Sequence, residues 1–141
     1  MFGAWHMETE IKKRKILIVD DDSFLLDMYA LKFSQNGFEV YGVSGGKEAL
    51  DKLRGGLTPD VILMDITMPD MDGFEMLTKM NSENLCKDCV KIVLSNKNQQ
   101  ADIDESKRLN VAGYIVKANF TPSEVIKKVE EVLDKKSAAG K

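Results

Sequence analysis

Four short apolar runs punctuate this chain, and each stops at a polar residue. Ile16-Leu17-Ile18-Val19 runs into Asp20-Asp21-Asp22, and Val61-Ile62-Leu63-Met64 runs into Asp65. Ile92-Val93-Leu94 runs into Ser95, and Tyr114-Ile115-Val116 runs into Lys117. Unbroken apolar runs of this length fit strands covered on both faces, as in a parallel sheet flanked by helices. Between them the pattern changes to helical spacing. Phe24 to Asn36 puts Leu26, Tyr29, Ala30 and Phe33 on one face, with Ser23 or Asp22 as cap and Gly37 as terminator. Phe38 to Val43 alternates, as expected of a strand with one face less covered, at a sheet edge.

Lys47 to Arg54 predicts a short helix stopped by Gly55-Gly56, and Asp60 to Asp65 the third strand. Asp72 and Glu75 have the spacing of a capping box that opens the next helix. Lys91 to Ser95 is the fourth strand, a polar helix follows around Ala101 to Leu109, and Gly113 to Lys117 is the fifth strand. Thr121-Pro122-Ser123-Glu124 combines an N-cap, a proline at the first helical position and a box glutamate. Val125, Ile126, Val129, Val132 and Leu133 then form a buried stripe, and Lys135 to Lys141 is expected to fray. Strands alternating with helices in this way predict an α/β, doubly wound sandwich. One domain is expected over residues 14–135, with 1–13 and 136–141 as tails. The His6-Met7 pair resembles a cloning junction, and Trp5 beside it reads as incidental.

A chain of 141 residues holds one domain with a sizeable core. Its formal net charge of −3 gives no basis for general binding to nucleic acid or anionic membrane. No apolar stretch approaches the ~20 residues that span a bilayer, and no basic-then-apolar leader opens the chain. A cytoplasmic location is the expectation. Cys86 and Cys89 form a lone C-x-x-C. Zinc wants about four ligands, and the single histidine lies in the N-terminal tail. A redox pair is expected at a strand-to-helix turn, whereas this one directly precedes a strand. Two reduced thiols in a loop are therefore expected.

In open parallel sheets ligands bind beyond the carboxyl ends of the strands. Asp20, Asp21, Asp65, Ser95 and Lys117 would then converge on one rim. Two like charges ~4 Å apart cost on the order of 4 kcal/mol at an effective dielectric of ~20. A divalent cation relieves that repulsion, and oxygen ligands with open water positions suit magnesium. Asp22 alone reads as a helix cap. Lys117 alone would be a solvated strand end; facing three acids it reads as a phosphate clamp. Ser95 adds a hydroxyl able to donate to a phosphoryl oxygen. A carboxylate nucleophile, a divalent metal, an ammonium and a hydroxyl together describe phosphoryl transfer to aspartate. Asp65 is the expected nucleophile, with Asp20 and Asp21 as metal ligands and an acyl phosphate as product.

The chain closely resembles the receiver domain of bacterial two-component response regulators. The resemblance rests on Ile16 to Asp22, on Met64-Asp65-Ile66-Thr67-Met68-Pro69-Asp70-Met71-Asp72-Gly73, on Val93-Leu94-Ser95 and on Gly113 to Lys117, in family order and spacing. It implies a flavodoxin-like (βα)5 sandwich with a five-stranded parallel sheet in the order 2-1-3-4-5. It implies that Asp65 takes a phosphoryl group from a sensor histidine kinase or a histidine phosphotransfer protein. Asp20, Asp21 (the more direct ligand), Asp65 and the Thr67 backbone carbonyl would hold Mg2+. Ser95 would be the switch hydroxyl and Tyr114 the aromatic that follows it, although an edge-strand aromatic also often just packs. The responding face would run from the fourth strand through the fourth helix to the fifth strand, meeting a downstream protein. The resemblance implies a monomer or a phosphorylation-dependent dimer, and a signalling domain rather than an enzyme with an external substrate.

Two positions depart from the commonest family pattern. Ala118 stands where most members have proline after the lysine, typically with a cis peptide, and Asn96 stands where a small residue is usual. Asn96 and Lys97 would hinder water approaching phosphorylated Asp65, and Thr67 lacks an acid or amide to orient it, which predicts a long-lived phosphoryl group. Haloacid dehalogenase-type phosphatases need a second aspartate two residues after the nucleophile, where this chain has Thr67. A flavin binder would place phosphate against Asp20-Asp21-Asp22, which would repel it. A receiver-like docking module that works without phosphorylation is the remaining alternative.

Overall fold

Each of the four apolar runs forms a strand of one parallel sheet. The structure, a computed structural model, describes residues 13–139; Trp5, His6 and residues 140–141 lie outside the described residues. The order along the chain is β1 (Lys15–Val19), α1 (Ser23–Gln35), β2 (Glu39–Val43), α2 (Gly46–Arg54), β3 (Val61–Met64), α3 (Gly73–Ser82), β4 (Val90–Ser95), α4 (Gln100–Arg108), β5 (Gly113–Val116), a 3-10 turn (Lys117–Asn119) and α5 (Pro122–Ala139). The strands lie in the order β2-β1-β3-β4-β5, all parallel, as expected for a flavodoxin-like doubly wound fold.

The two sides of each strand feed two cores. Ile16, Ile18, Leu63, Ile92 and Ile115 pack with Tyr29 and Phe33 of α1 and with Val125, Ile126 and Val129 of α5. Leu17, Val19, Ile62, Met64 and Val93 face the other way, against Leu50 and Leu53 of α2 and Met76, Leu77 and Met80 of α3. This double coverage explains why the central strands read as continuous apolar runs rather than as alternations. The edge strand β2 differs as expected: Glu39 and Gly42 are exposed and only Val43 is fully buried. Phe38 falls just before β2 and meets Phe33 edge to face at 5.1 Å.

The helix starts follow their caps. Asp22 caps α1 by accepting from the Leu25 N–H, and Asp72 caps α3 by accepting from the Glu75 N–H. Gly37 ends the α1 segment with a φ of 87°, which glycine reaches without strain. At α5 the capping box is complete: the Thr121 N–H donates to Glu124 Oε1 and the Glu124 N–H to Thr121 Oγ1. Most boundaries shift from expectation by a residue, and two of the differences matter here. The fifth strand stops at Val116, so Lys117 begins the 3-10 turn. The expected fraying from Lys135 does not occur, because α5 continues to Ala139. Lysine and alanine there are good helix formers, and an Arg14–Asp134 ion pair of 2.7 Å fastens the preceding turn. Among the described residues no helix is long and apolar enough to cross a membrane.

Candidate functional site

The sheet register sets the site. Val19 of β1 pairs with Met64 of β3, so Asp20 and Asp65 leave neighbouring strands at the same level. One more backbone bond on each side holds them there: the Asp65 N–H donates to the Val19 carbonyl at 3.0 Å, and the Asp20 N–H to the Val43 carbonyl at 3.2 Å. Carboxylate oxygens of Asp20, Asp21 and Asp65 all lie within 4.8 Å of one another. Asp20 and Asp65 are buried, while Asp21 is exposed and faces arriving solutes.

Lys117 reaches into this cluster from across the sheet. Its Nζ donates to Asp20 Oδ2 at 2.9 Å and to Asp65 Oδ2 at 2.8 Å, with the lysine side chain only 11% exposed. Burial alone would lower the lysine's pKa, but the two carboxylate hydrogen bonds outweigh it and hold the ammonium above its ordinary value. Asp20 shows the opposite balance: burial pushes its carboxyl above the usual aspartate range despite the bonds from Lys117 and the Asp22 N–H. Three carboxylates against one ammonium leave the cluster with an excess of negative charge when ionised. The donor set is all oxygen, spaced for one ion and open on the Asp21 side, which fits a hard divalent cation.

The loop after β3 is drawn tight. The Thr67 N–H donates to Asp65 Oδ1 at 3.2 Å, which orients the carboxylate. The Gly73 N–H donates to the Ile66 carbonyl at 2.8 Å, and a Cβ at Gly73 would stand 2.5 Å from the Asp65 carbonyl oxygen. Only glycine permits that approach. A cavity of about 490 Å³ opens over the cluster, and Thr67, Ser95, Asn96, Lys97, Asp22 and Leu25 line it together with the three acids and Lys117.

Ser95 is buried at the end of β4, and its hydroxyl oxygen accepts the Lys97 N–H at 3.2 Å. Tyr114 is half-buried on β5 and donates its hydroxyl to the Lys97 carbonyl at 2.7 Å. The tyrosine does not line the cavity, so its link to Ser95 passes through Lys97. Burial, followed by the charges of Asp102 and Asp65, pushes the Tyr114 phenol up to about 12.

Asp20, Asp21, Asp65, Thr67, Ser95 and Lys117 thus line one cavity, and Tyr114 stands one hydrogen bond from Lys97 at its wall. Sequence reasoning missed a tie on the far side of Lys117. All peptide bonds among the described residues are trans, including Lys117–Ala118. The Ala118 N–H donates to Asn96 Oδ1 at 3.1 Å. Proline offers no N–H, so the alanine in that place brings a donor that the commoner residue lacks. Asn96, expected only to narrow the cavity, supplies the acceptor.

A family model for the response regulator receiver domain matches residues 16–130. The chain is 34% identical over 120 residues to the chemotaxis protein CheY of Thermotoga maritima, covering 84% of this chain and 97% of that protein. It is 30% identical over 118 residues to the response regulator SaeR of Staphylococcus aureus, covering 84% of this chain and 50% of that protein. Among solved structures, a CheY-like response regulator receiver domain protein of Methanospirillum hungatei superposes with a TM-score of 0.82 at 28% identity, covering 91% of this chain and 99% of that one. CheY4 of Vibrio cholerae gives 0.79 at 29% identity, with 86% and 99% covered.

Proposed function

This chain belongs to the response regulator receiver family, phosphorylatable switches of two-component signalling, and on that premise we propose that Asp65 is its phosphoacceptor. The observation that carries the assignment is the Lys117 ammonium bonded to both Asp20 and Asp65, with the Asp21 carboxylate in the same cluster. Asp20 is held at both oxygens, by the Asp22 N–H and Lys117, but it stands beside Asp21 as a metal ligand. Asp65 stands alone at its strand end, with Oδ1 held by the Thr67 N–H and Oδ2 by Lys117. That grip points the carboxylate at the cavity as a nucleophile.

An oxygen of Asp65 attacks phosphorus in line as the bond to a phosphohistidine nitrogen breaks, leaving an acyl phosphate. Lys117, already desolvated, shifts from the carboxylates to a phosphoryl oxygen. Asp20, Asp21, Asp65 and the backbone carbonyl of Thr67 would hold magnesium, which would neutralise charge on the transferring group. The Ser95 hydroxyl turns its proton to another phosphoryl oxygen. The domain would in this way catalyse its own phosphorylation and, with water as nucleophile, its own dephosphorylation.

The bond chain from the site gives the output. Ser95 holds the Lys97 N–H, and the Lys97 carbonyl holds the Tyr114 hydroxyl. Drawing Ser95 toward a phosphoryl group pulls on the first bond and loosens the second, altering the face made by β4, α4 and β5. The donor is a sensor histidine kinase or histidine phosphotransfer protein, acting in the cytoplasm, and the altered face controls a downstream protein or a phosphorylation-dependent dimer. Incubation with acetyl phosphate and Mg2+ tests the reading. Intact mass should show one labile phosphoryl adduct, lost with Asp65→Asn and with chelator; an adduct that survives Asp65→Asn would overturn the assignment and leave family membership untouched.

A further inference from the structure

The segment joining α3 to β4, at the end of the sheet opposite Asp65, carries both cysteines. Residues 83–88 form a continuous turn, in which the Cys89 N–H donates to the Cys86 carbonyl at 3.2 Å and Cys86 takes a φ of 52°. Closure from i to i+3 brings the two Cα atoms within ~7 Å, close to the separations that a disulfide spans. Both thiols are free and half-buried, and both residues line one groove. The Cys86 thiol also approaches the Pro59 carbonyl at 3.9 Å.

The surroundings distinguish the two sulfurs. Lys91 is buried in β4, and its Nζ donates to the Cys86 carbonyl at 3.0 Å. A hydrogen bond from the Cys89 thiol, aided by the charges of Lys91 and Lys136, holds the Cys86 thiol below the ordinary cysteine value. The same bond and burial push the Cys89 thiol up. With the Lys91 ammonium anchored on its own carbonyl, Cys86 suits the attacking role and Cys89 the resolving one. A groove of about 510 Å³ opens on the pair, bordered by Arg14, Lys87 and Lys136, and one of its two acids, Asp60, is engaged by the Lys15 N–H at 2.7 Å. Its lining carries three basic groups against two acids, Asp60 and Asp88. With Arg14 paired to Asp134, the positive charge open to a ligand is that of Lys87 and Lys136. The groove is wide enough for a small molecule.

We propose that Cys86 and Cys89 form a reversible dithiol–disulfide site that exchanges with a small anionic disulfide of the oxidised-glutathione class. The Cys86 thiolate attacks one sulfur of that disulfide, whose S–S bond breaks; one small thiol leaves, taking a proton from solvent, and a mixed disulfide remains on Cys86. Cys89 gives its proton to solvent and attacks the Cys86 sulfur, displacing the second small thiol. Two protein thiols are oxidised and one small disulfide is reduced to two thiols. The site is independent of the phosphoryl chemistry at the other rim.

The full chain incubated with oxidised and reduced glutathione, then acid-quenched, should lose two hydrogens by intact mass. Non-reducing peptide mapping should bridge Cys86 to Cys89, and dithiothreitol should reverse it. Cys89→Ser should trap glutathione on Cys86, whereas Cys86→Ser should react ~10-fold more slowly. The rate advantage of oxidised glutathione over the neutral hydroxyethyl disulfide should shrink in Lys136→Ala and at high salt. Bridging only in urea, or equal adduct rates in the two single-cysteine variants, would overturn the proposal.

Discussion

The side-chain oxygen of Asn96 accepts the backbone N–H of Ala118 at 3.1 Å, and so ties the end of β4 to the turn that carries Lys117. Two departures from the commonest receiver pattern are therefore one unit. Ala118 supplies a donor that proline lacks, and Asn96 supplies the acceptor that a small residue lacks.

This unit predicts an inverted outcome for restoring the usual residue. Ala118→Pro removes the donor, strands the Asn96 oxygen, and disfavours the 3-10 conformation of Lys117, the residue before it. Loss of the hydrogen bond alone is worth about 0.5–1.5 kcal/mol. Urea denaturation should show Ala118→Pro destabilised by at least that, and Asn96→Ala by about the same; a neutral or stabilised Ala118→Pro would contradict the coupling.

Gly73 predicts a steric outcome. The Cβ of Gly73→Ala would meet the Asp65 carbonyl oxygen at 2.5 Å and the Ile66 Cα at 3.0 Å, both backbone atoms that cannot turn aside. Overpacking of this kind costs about 1–3 kcal/mol. A lower unfolding midpoint together with slower phosphorylation by acetyl phosphate is expected, because the strain falls on the residue that bears the acceptor. An unchanged midpoint would refute the close approach.

Phosphoryl lifetime is the next consequence. Asn96 and Lys97 line the cavity over Asp65, and Thr67 offers no acid or amide to orient water. Asn96→Ala and Lys97→Ala should each speed the decay of the acyl phosphate, followed by intact mass after removal of the donor. Decay unchanged in both variants would show that these side chains do not shield phosphorus.

Tyr114 gives a pH signature. Its phenol is pushed up to about 12, above the ordinary 10.0, first by burial and then by Asp102 and Asp65. The folded chain keeps a proton that the unfolded chain releases, so the stabilisation is complete below about 10 and is lost as pH rises through about 12. Ionisation also removes the hydroxyl that donates to the Lys97 carbonyl. Phenolate absorbance should show a late step near 12, absent in Tyr114→Phe; its persistence in that variant would assign the step to Tyr29 or Tyr41.

The rim was legible because each functional residue stands where an apolar run stops, and a parallel sheet brings those stops to one edge. Asp20, Asp65, Ser95 and Lys117 needed no more than that. The helix caps at Asp22, Asp72 and Thr121 were equally legible, since capping is local in sequence. The Asn96–Ala118 tie was not, because it joins residues 22 apart whose meeting depends on the path of the turn. Neither was the turn at Cys86, where a left-handed backbone falls on a residue with no special preference for it. The C-terminal boundary erred for a related reason: polar composition after Lys135 read as fraying, while propensity and the Arg14–Asp134 pair carry α5 to Ala139.

The central claim is that Asp65, and no other acid of the cluster, receives the phosphoryl group. Reductive trapping tests it most directly. The chain is phosphorylated with acetyl phosphate and Mg2+, then treated with borohydride, which converts an aspartyl phosphate to homoserine, and residue 65 is sequenced by tandem mass spectrometry. Homoserine at position 65, with aspartate intact at 20 and 21, is the predicted result. Homoserine at 20 or 21, or at none of the three after a confirmed phosphoryl adduct, would contradict it.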